Sequence, residues 1–265
     1  MTPTFRSPTK ILAILTAALA TGALALALAG CGDDDEANPV IPPGPGGPST
    51  FVGAFTNGTE HGKITVVINA ADLAPGLRRT GAAASAAAPA AVATGTLTFS
   101  GGDTQILGGS YDSATDTLSL SGGGYAFVGE FEDAASPTYI AGGYTGPFGA
   151  GTFGAFSGAE AQMEVFLGAY QSDSTGATGV LDLVIKGTVA EGLRCPKSGE
   201  TLFLVGSATG SGAKRILGLT SASPGLLDVS VAGEVQTTYG IGTWHSFDAS
   251  RAQGDDGTWY ATLSP

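Results

Sequence analysis

Positive charge is scarce in this chain. Its 265 residues carry 11 Lys and Arg against 23 Asp and Glu, a net −12. A nucleic-acid binder needs a basic footprint to displace counterions from phosphate, and docking on anionic lipid by charge needs a basic cluster. Nucleic acid is therefore not an expected partner, and the acidity reads as a solvated surface. Histidine occurs twice, at His61 and His245, and neither has a neighbour at metal-ligand spacing, so zinc is unsupported. Cysteine also occurs twice, at Cys31 and Cys195, too few for a disulfide framework. No stretch after residue 50 repeats apolar residues at i, i+3 and i+4, so amphipathic helices are not expected there. Only 8% of residues are aromatic.

What the chain has in abundance is apolar and small residues, with 43% hydrophobic residues and 43 glycines. They divide it into three zones. The first holds Arg6 and Lys10, followed by ILAILTAALATGALALALAG over residues 11–30, uncharged and apolar. A basic start and an apolar stretch make an export signal. A run of this length could equally span a bilayer as an uncleaved helix. What separates the two readings is Leu28-Ala29-Gly30-Cys31, which resembles the lipobox of bacterial lipoproteins: Leu, a small residue, Gly or Ala, then Cys. The resemblance covers these four residues and the signal before them. It implies diacylglycerol on the Cys31 thiol, cleavage before Cys31, and a membrane partner reached through that lipid. Each buried acyl CH₂ contributes about 0.8 kcal/mol, so two or three chains hold a domain on a membrane. Gly32 follows the Cys where the inner-membrane retention pattern has Asp, which resembles the outer-membrane class. The run Asp33-Asp34-Asp35-Glu36 reads either as a surface-export signal or as a solvated start to a tether.

The second zone, residues 31–50, continues as a Pro- and Gly-rich stretch that buries too little apolar surface to fold and is expected to be a disordered spacer. Arg6 and Lys10 belong to the signal, so the chain from Cys31 carries 9 basic and 23 acidic groups, a net −14.

The third zone begins at Phe51. Ile64, Val66 and Ile68 alternate with polar or outward residues, as do Leu118 and Leu120, and Val229 and Val231. Alternation with period two is the strand signal, with one face buried and one wet. Asn57-Gly58 and Asp112–Asp116 join such runs and read as hairpin turns. The expected class is all-β: an antiparallel, Gly-rich sandwich or barrel. An outer-membrane barrel would need longer strands and aromatic girdles.

The chain also echoes itself. Phe51–Phe55 resembles Phe166–Tyr170, Gly76–Arg78 matches Gly192–Arg194, and Thr96-Leu97 matches Thr201-Leu202. Ile106–Gly108 matches Ile216–Gly218, and Gly151–Phe153 echoes Gly257–Trp259. The shared order predicts two duplicated β units, residues 51–158 and 163–265. The shrinking displacement places an insertion in the first unit, the Ala-rich segment 81–94, where Pro89 opposes a helix and a flexible loop is expected.

No motif carries recognisable chemistry. Gly149–Gly154 fits G-x-G-x-x-G, but no helix follows to meet a pyrophosphate. Gly206–Lys214 lacks the Gly-Lys-Ser/Thr of a phosphate loop. His245, Ser246 and Asp248 adjoin in sequence, but alternation sends His245 and Ser246 to opposite faces. Asp112 with Asp116, and Asp255 with Asp256, lack a calcium-loop pattern. Cys195 lies between Arg194 and Lys197, cations that lower a thiol pKa, yet no catalytic partner is near in sequence, and a loop residue is expected. No cofactor is expected. Three functions remain: a non-enzymatic envelope module binding an envelope protein or glycan or serving structurally, a lipocalin-like carrier of an apolar ligand lined by Tyr125, Phe127, Trp244 and Trp259, and a hydrolase with an unrecognised site. The first requires nothing that is missing.

Overall fold

The computed structural model describes residues 49–69, 91–112, 115–131, 138–197, 201–210, 213–221, 228–247 and 253–264. The signal segment, Cys31 and the spacer up to residue 48 lie outside them. The chain forms two closed, antiparallel, eight-stranded barrels in which each strand pairs with its sequence neighbours and the last pairs with the first. The first barrel comprises β1 (Ser49–Thr56), β2 (His61–Ile68), β3 (Ala91–Phe99), β4 (Thr104–Asp112), β5 (Thr117–Gly122), β6 (Tyr125–Phe131), β7 (Tyr139–Gly146) and β8 (Gly149–Ser157). A single 3-10 turn, Glu160–Gln162, leads into the second: β9 (Met163–Ser172), β10 (Thr178–Lys186), β11 (Val189–Pro196), β12 (Leu202–Thr209), β13 (Lys214–Ser221), β14 (Asp228–Gln236), β15 (Tyr239–Phe247) and β16 (Gln253–Leu263).

Alternation decides what faces inward. In β2, Ile64, Val66 and Ile68 point into the barrel and Lys63 and Thr65 point away; in β5, Leu118 and Leu120 point in and Thr117 and Ser119 out. In these two strands the order, apolar inside and polar outside, is the inverse of a transmembrane barrel's. Eight strands leave an interior just wide enough for side chains to fill. In the first barrel Phe127 stacks on Tyr144 with ring centroids 4.9 Å apart, and Phe153 meets Phe127 edge-on at 5.3 Å. Trp244 and Trp259 fill the second, their indole N–H groups donating to the carbonyls of Gln171 and Ala232.

Register shows the duplication directly. Phe55 faces Phe153 across β1 and β8, and Tyr170 faces Trp259 across β9 and β16. Beside them Gly53 opposes Ala155, and Gly168 opposes Ala261. A Cβ on Gly53 would lie 1.8 Å from the Gly154 carbonyl oxygen, and one on Gly168 would lie 2.2 Å from that of Tyr260, so both strand pairs close only on glycine. Carried strand by strand, the pairing also superposes Gly62 on Gly179, Gly95 on Gly192, Gly109 on Gly206, Gly129 on Gly233, Gly142 on Gly242 and Gly151 on Gly257. Gly129 makes room for the Phe153 ring as Gly233 does for Trp259.

The same pairing corrects two of the sequence echoes. Leu97 corresponds to Arg194 rather than Leu202, and Leu107 to Leu204 rather than Leu217, whose counterpart is Leu118. Residues 76–78 lie outside the described residues. Each strand of a small barrel presents a similar Leu–Gly alternation, so a match one strand out of step looks as good as the true one. The extra length of the first unit lies between β2 and β3, where the second barrel needs only Gly187 and Thr188. It ends before residue 91: positions 91–94 are strand, with Ala91 and Ala93 buried inside the barrel, and only 81–90 of the expected loop fall outside the described residues. At the other boundary β1 starts at Ser49, so Ser49 and Thr50 leave the spacer and join the barrel.

Candidate functional site

The two barrels meet along the outer faces of β1, β7 and β8 on one side and β9, β10 and β11 on the other. Val52, Ala54, Tyr139 and Phe156 there pack against Met163, Val165, Leu167, Val184 and Leu193. This is why β1 is buried on both faces. Lys63 pairs with Glu160 at 3.0 Å, tying the connecting turn to β2.

Into this apolar seam β10 projects Asp182, whose side chain has no exposure. Its Oδ1 lies 2.7 Å from His61 Nδ1 on β2 and accepts the Gly168 N–H at 3.1 Å; its Oδ2 is buried with no hydrogen-bond partner. Removal from water raises the Asp182 pKa against the opposing pull of His61 and the Gly168 N–H. Burial pulls the His61 pKa down, but the hydrogen bond and charge of Asp182 outweigh it and leave it above the usual histidine value. Both directions mean that the folded pair holds its proton more tightly than the separate groups do. The sequence presented His61 as isolated because its partner lies on another barrel.

Beside the seam, Cys195 of β11 is buried and faces the first hairpin. Its Sγ accepts the Thr201 hydroxyl at 3.2 Å. Burial pushes its thiol pKa up, and this outweighs the cation Arg194, which alternation turns to the other face of the strand. The thiol thus stays protonated at neutral pH, the opposite of an activated nucleophile.

The first hairpin takes the shape its sequence predicts: Asn57 Oδ1 accepts the N–H groups of Thr59 and Glu60, and Gly58 has a φ of 84°. It carries Glu60 over the end of the first barrel, where Glu60 Oε2 accepts the Tyr125 hydroxyl at 2.8 Å. Burial, with that carboxylate, pushes Tyr125 up to about 12.

The end of the second barrel differs. Arg194 points inward, its Cζ 4.2 Å from the Tyr170 ring centroid and 4.4 Å from that of Trp244. The two rings stand edge-on to one another at 5.2 Å, so the guanidinium lies in the angle between them. The nearby Asp255 carboxylate accepts the hydroxyls of Ser172 and Ser174 and the N–H of Asp256, which hold its pKa below the usual carboxylate value.

The other motifs are structural. Gly149–Gly154 lies in β8; Gly206–Thr209 ends β12 and Lys214 opens β13, with residues 211 and 212 outside the described residues. His245 and Ser246 point to opposite faces of β15, with Ser246 bonded to the Asp255 backbone; Asp248 lies outside the described residues. Among the described residues, no three of His, Cys, Asp and Glu gather as a metal site. No protein family, curated protein or solved structure matches this chain.

Proposed function

We propose that the chain is a lipid-anchored protein of the cell envelope whose double barrel is a non-enzymatic binding or structural module. The observation that carries this reading is Leu28-Ala29-Gly30-Cys31 at the end of twenty uncharged, apolar residues, followed by a Pro- and Gly-rich spacer up to the first strand. That order supplies an export signal, a thiol for acylation, a tether and a folded body. Gly32 after the Cys favours the outer over the inner membrane. The partner is an envelope protein or glycan.

Packing supports a module over a carrier. Tyr125, Phe127, Trp244 and Trp259, the residues that would line a ligand cavity, are buried against one another and their neighbours in the barrel cores. The protonated Cys195, which is no activated nucleophile, likewise favours a module over a hydrolase. Metabolic labelling with a fatty acid tests the anchor. Label is expected on the parent chain and lost in Cys31→Ser, which should also accumulate unprocessed; label that persists in the variant overturns the reading.

A further inference from the structure

Superposing the barrels by register isolates one end of the second as different in kind. In the first barrel this end is closed by Phe99 and Tyr125, whose ring centroids are 5.6 Å apart, above the fully buried Leu97. The same three positions in the second barrel carry Pro196, Val229 and Arg194. Two aromatic rings are thus replaced by smaller side chains, and an interior leucine by a guanidinium. The rings below are kept: Phe55 becomes Tyr170 and Tyr144 becomes Trp244.

An arginine inside a barrel loses hydration, and the two rings return part of that loss through their negative faces. They do nothing for its N–H donors, which need acceptors in the plane of the guanidinium. Among the described residues, Arg194 Nε is buried without a hydrogen-bond partner, and no carboxylate forms an ion pair with the guanidinium. The acid best placed to do so, Asp255, has Oδ1 taken by Ser172, Ser174 and the Asp256 N–H. The Arg194 side chain is only partly buried, so part of it is open to solvent. Asp255 acts on this cation by charge at a distance and, among the described residues, makes no ion pair with it.

We propose that Arg194, oriented by Tyr170 and Trp244, forms an oxyanion-binding subsite at this end of the second barrel, taking a carboxylate or phosphate group of the module's partner. A planar fork of donors held at a fixed angle matches two oxygens of such a group. The inference rests on the reading of the chain as a binding module and is independent of the lipid anchor, so fatty-acid labelling and anion binding can fail separately.

The test uses the full chain in non-ionic detergent, in a Trp259→Phe background. Phe is the residue the first barrel carries at that position, and the change leaves Trp244 as the sole tryptophan reporter. Inorganic phosphate and acetate are titrated separately at constant ionic strength, and Trp244 emission is followed. A saturable change with a dissociation constant of about 1 mM or tighter is expected for at least one of them. Arg194→Leu, which installs the first barrel's residue, should weaken it at least tenfold; if that variant does not fold, Arg194→Lys, which keeps the charge and loses the fork, provides the comparison. Preference for phosphate or for acetate identifies the group recognised. Absence of saturation with both anions, or equal affinity in the variant, overturns the proposal.

Discussion

Asp182 is the residue whose position is hardest to sustain. It is fully buried, one oxygen has no partner, and its counter-group His61 belongs to the other barrel. Because the pKa values of both are raised, the folded chain binds more protons than the unfolded one wherever either group titrates, and stability falls as pH rises. For His61 the contribution is complete below about pH 6.5, its unfolded value, and is lost as pH climbs through the higher folded value. The midpoint of thermal unfolding is therefore expected to drop between neutral and mildly alkaline pH, and Asp182→Asn should flatten that drop. His61→Ala at neutral pH leaves the carboxylate alone in the seam and should cost about 3 kcal/mol or more in denaturant unfolding. An unchanged pH profile in Asp182→Asn would show that the pair does not titrate with folding.

At the scale of elements, close strand approach divides the glycines into two kinds. Gly53 and Gly168 have neighbouring backbone inside 2.6 Å of any added Cβ, so Gly53→Ala or Gly168→Ala should destabilise by about 3 kcal/mol, at the upper end for overpacking. Gly108 of β4 and Gly218 of β13 have nothing within 4 Å, so alanine there should be neutral or stabilise by about 0.5 kcal/mol. Unfolding of the four variants in urea distinguishes the classes. The β2–β3 connection gives a second check. The second barrel closes the equivalent turn with two residues, Gly187 and Thr188, so excising 81–90 should shift the thermal midpoint little. Excising 81–94 also removes Ala91 and Ala93 from the core and breaks the pairing of β3 with Tyr111 and Gly109, and a clear drop is expected.

These elements also show where the sequence was readable. Ile64-Thr65-Val66 and Leu118-Ser119-Leu120 declared their faces because a two-residue period needs no partner to be seen. Asn57-Gly58 declared its turn because its bonds are local. The end echoes, Phe51–Phe55 with Phe166–Tyr170 and Gly151–Phe153 with Gly257–Trp259, match true structural equivalents, whereas those of Thr96-Leu97 and Ile106–Gly108 slipped by a strand. The seam and the Arg194 site were not legible. Asp182 looks like one polar break in Val180–Ile185, and Arg194 gains meaning only when strand pairing sets it on Leu97.

For the molecule as a whole, duplication and divergence fit together. One barrel plan, kept by superposed glycines and ring pairs, is used twice. The copies then differ where they touch and at one end, where Glu60 and Tyr125 close the first and Arg194 stands in the second. The outer faces of β1 and β10 have become core, burying Val52, Ala54 and Val184 in the seam. On the proposed reading, this paired body stands off a membrane on the stretch from Cys31 to Ser49. Intact-mass measurement of the chain purified from its own envelope tests this most directly. The mature chain is expected to begin at Cys31 and to carry the added mass of a diacylglycerol, with or without a further acyl chain. A chain that retains residues 1–30, or begins at Cys31 without lipid, would contradict it.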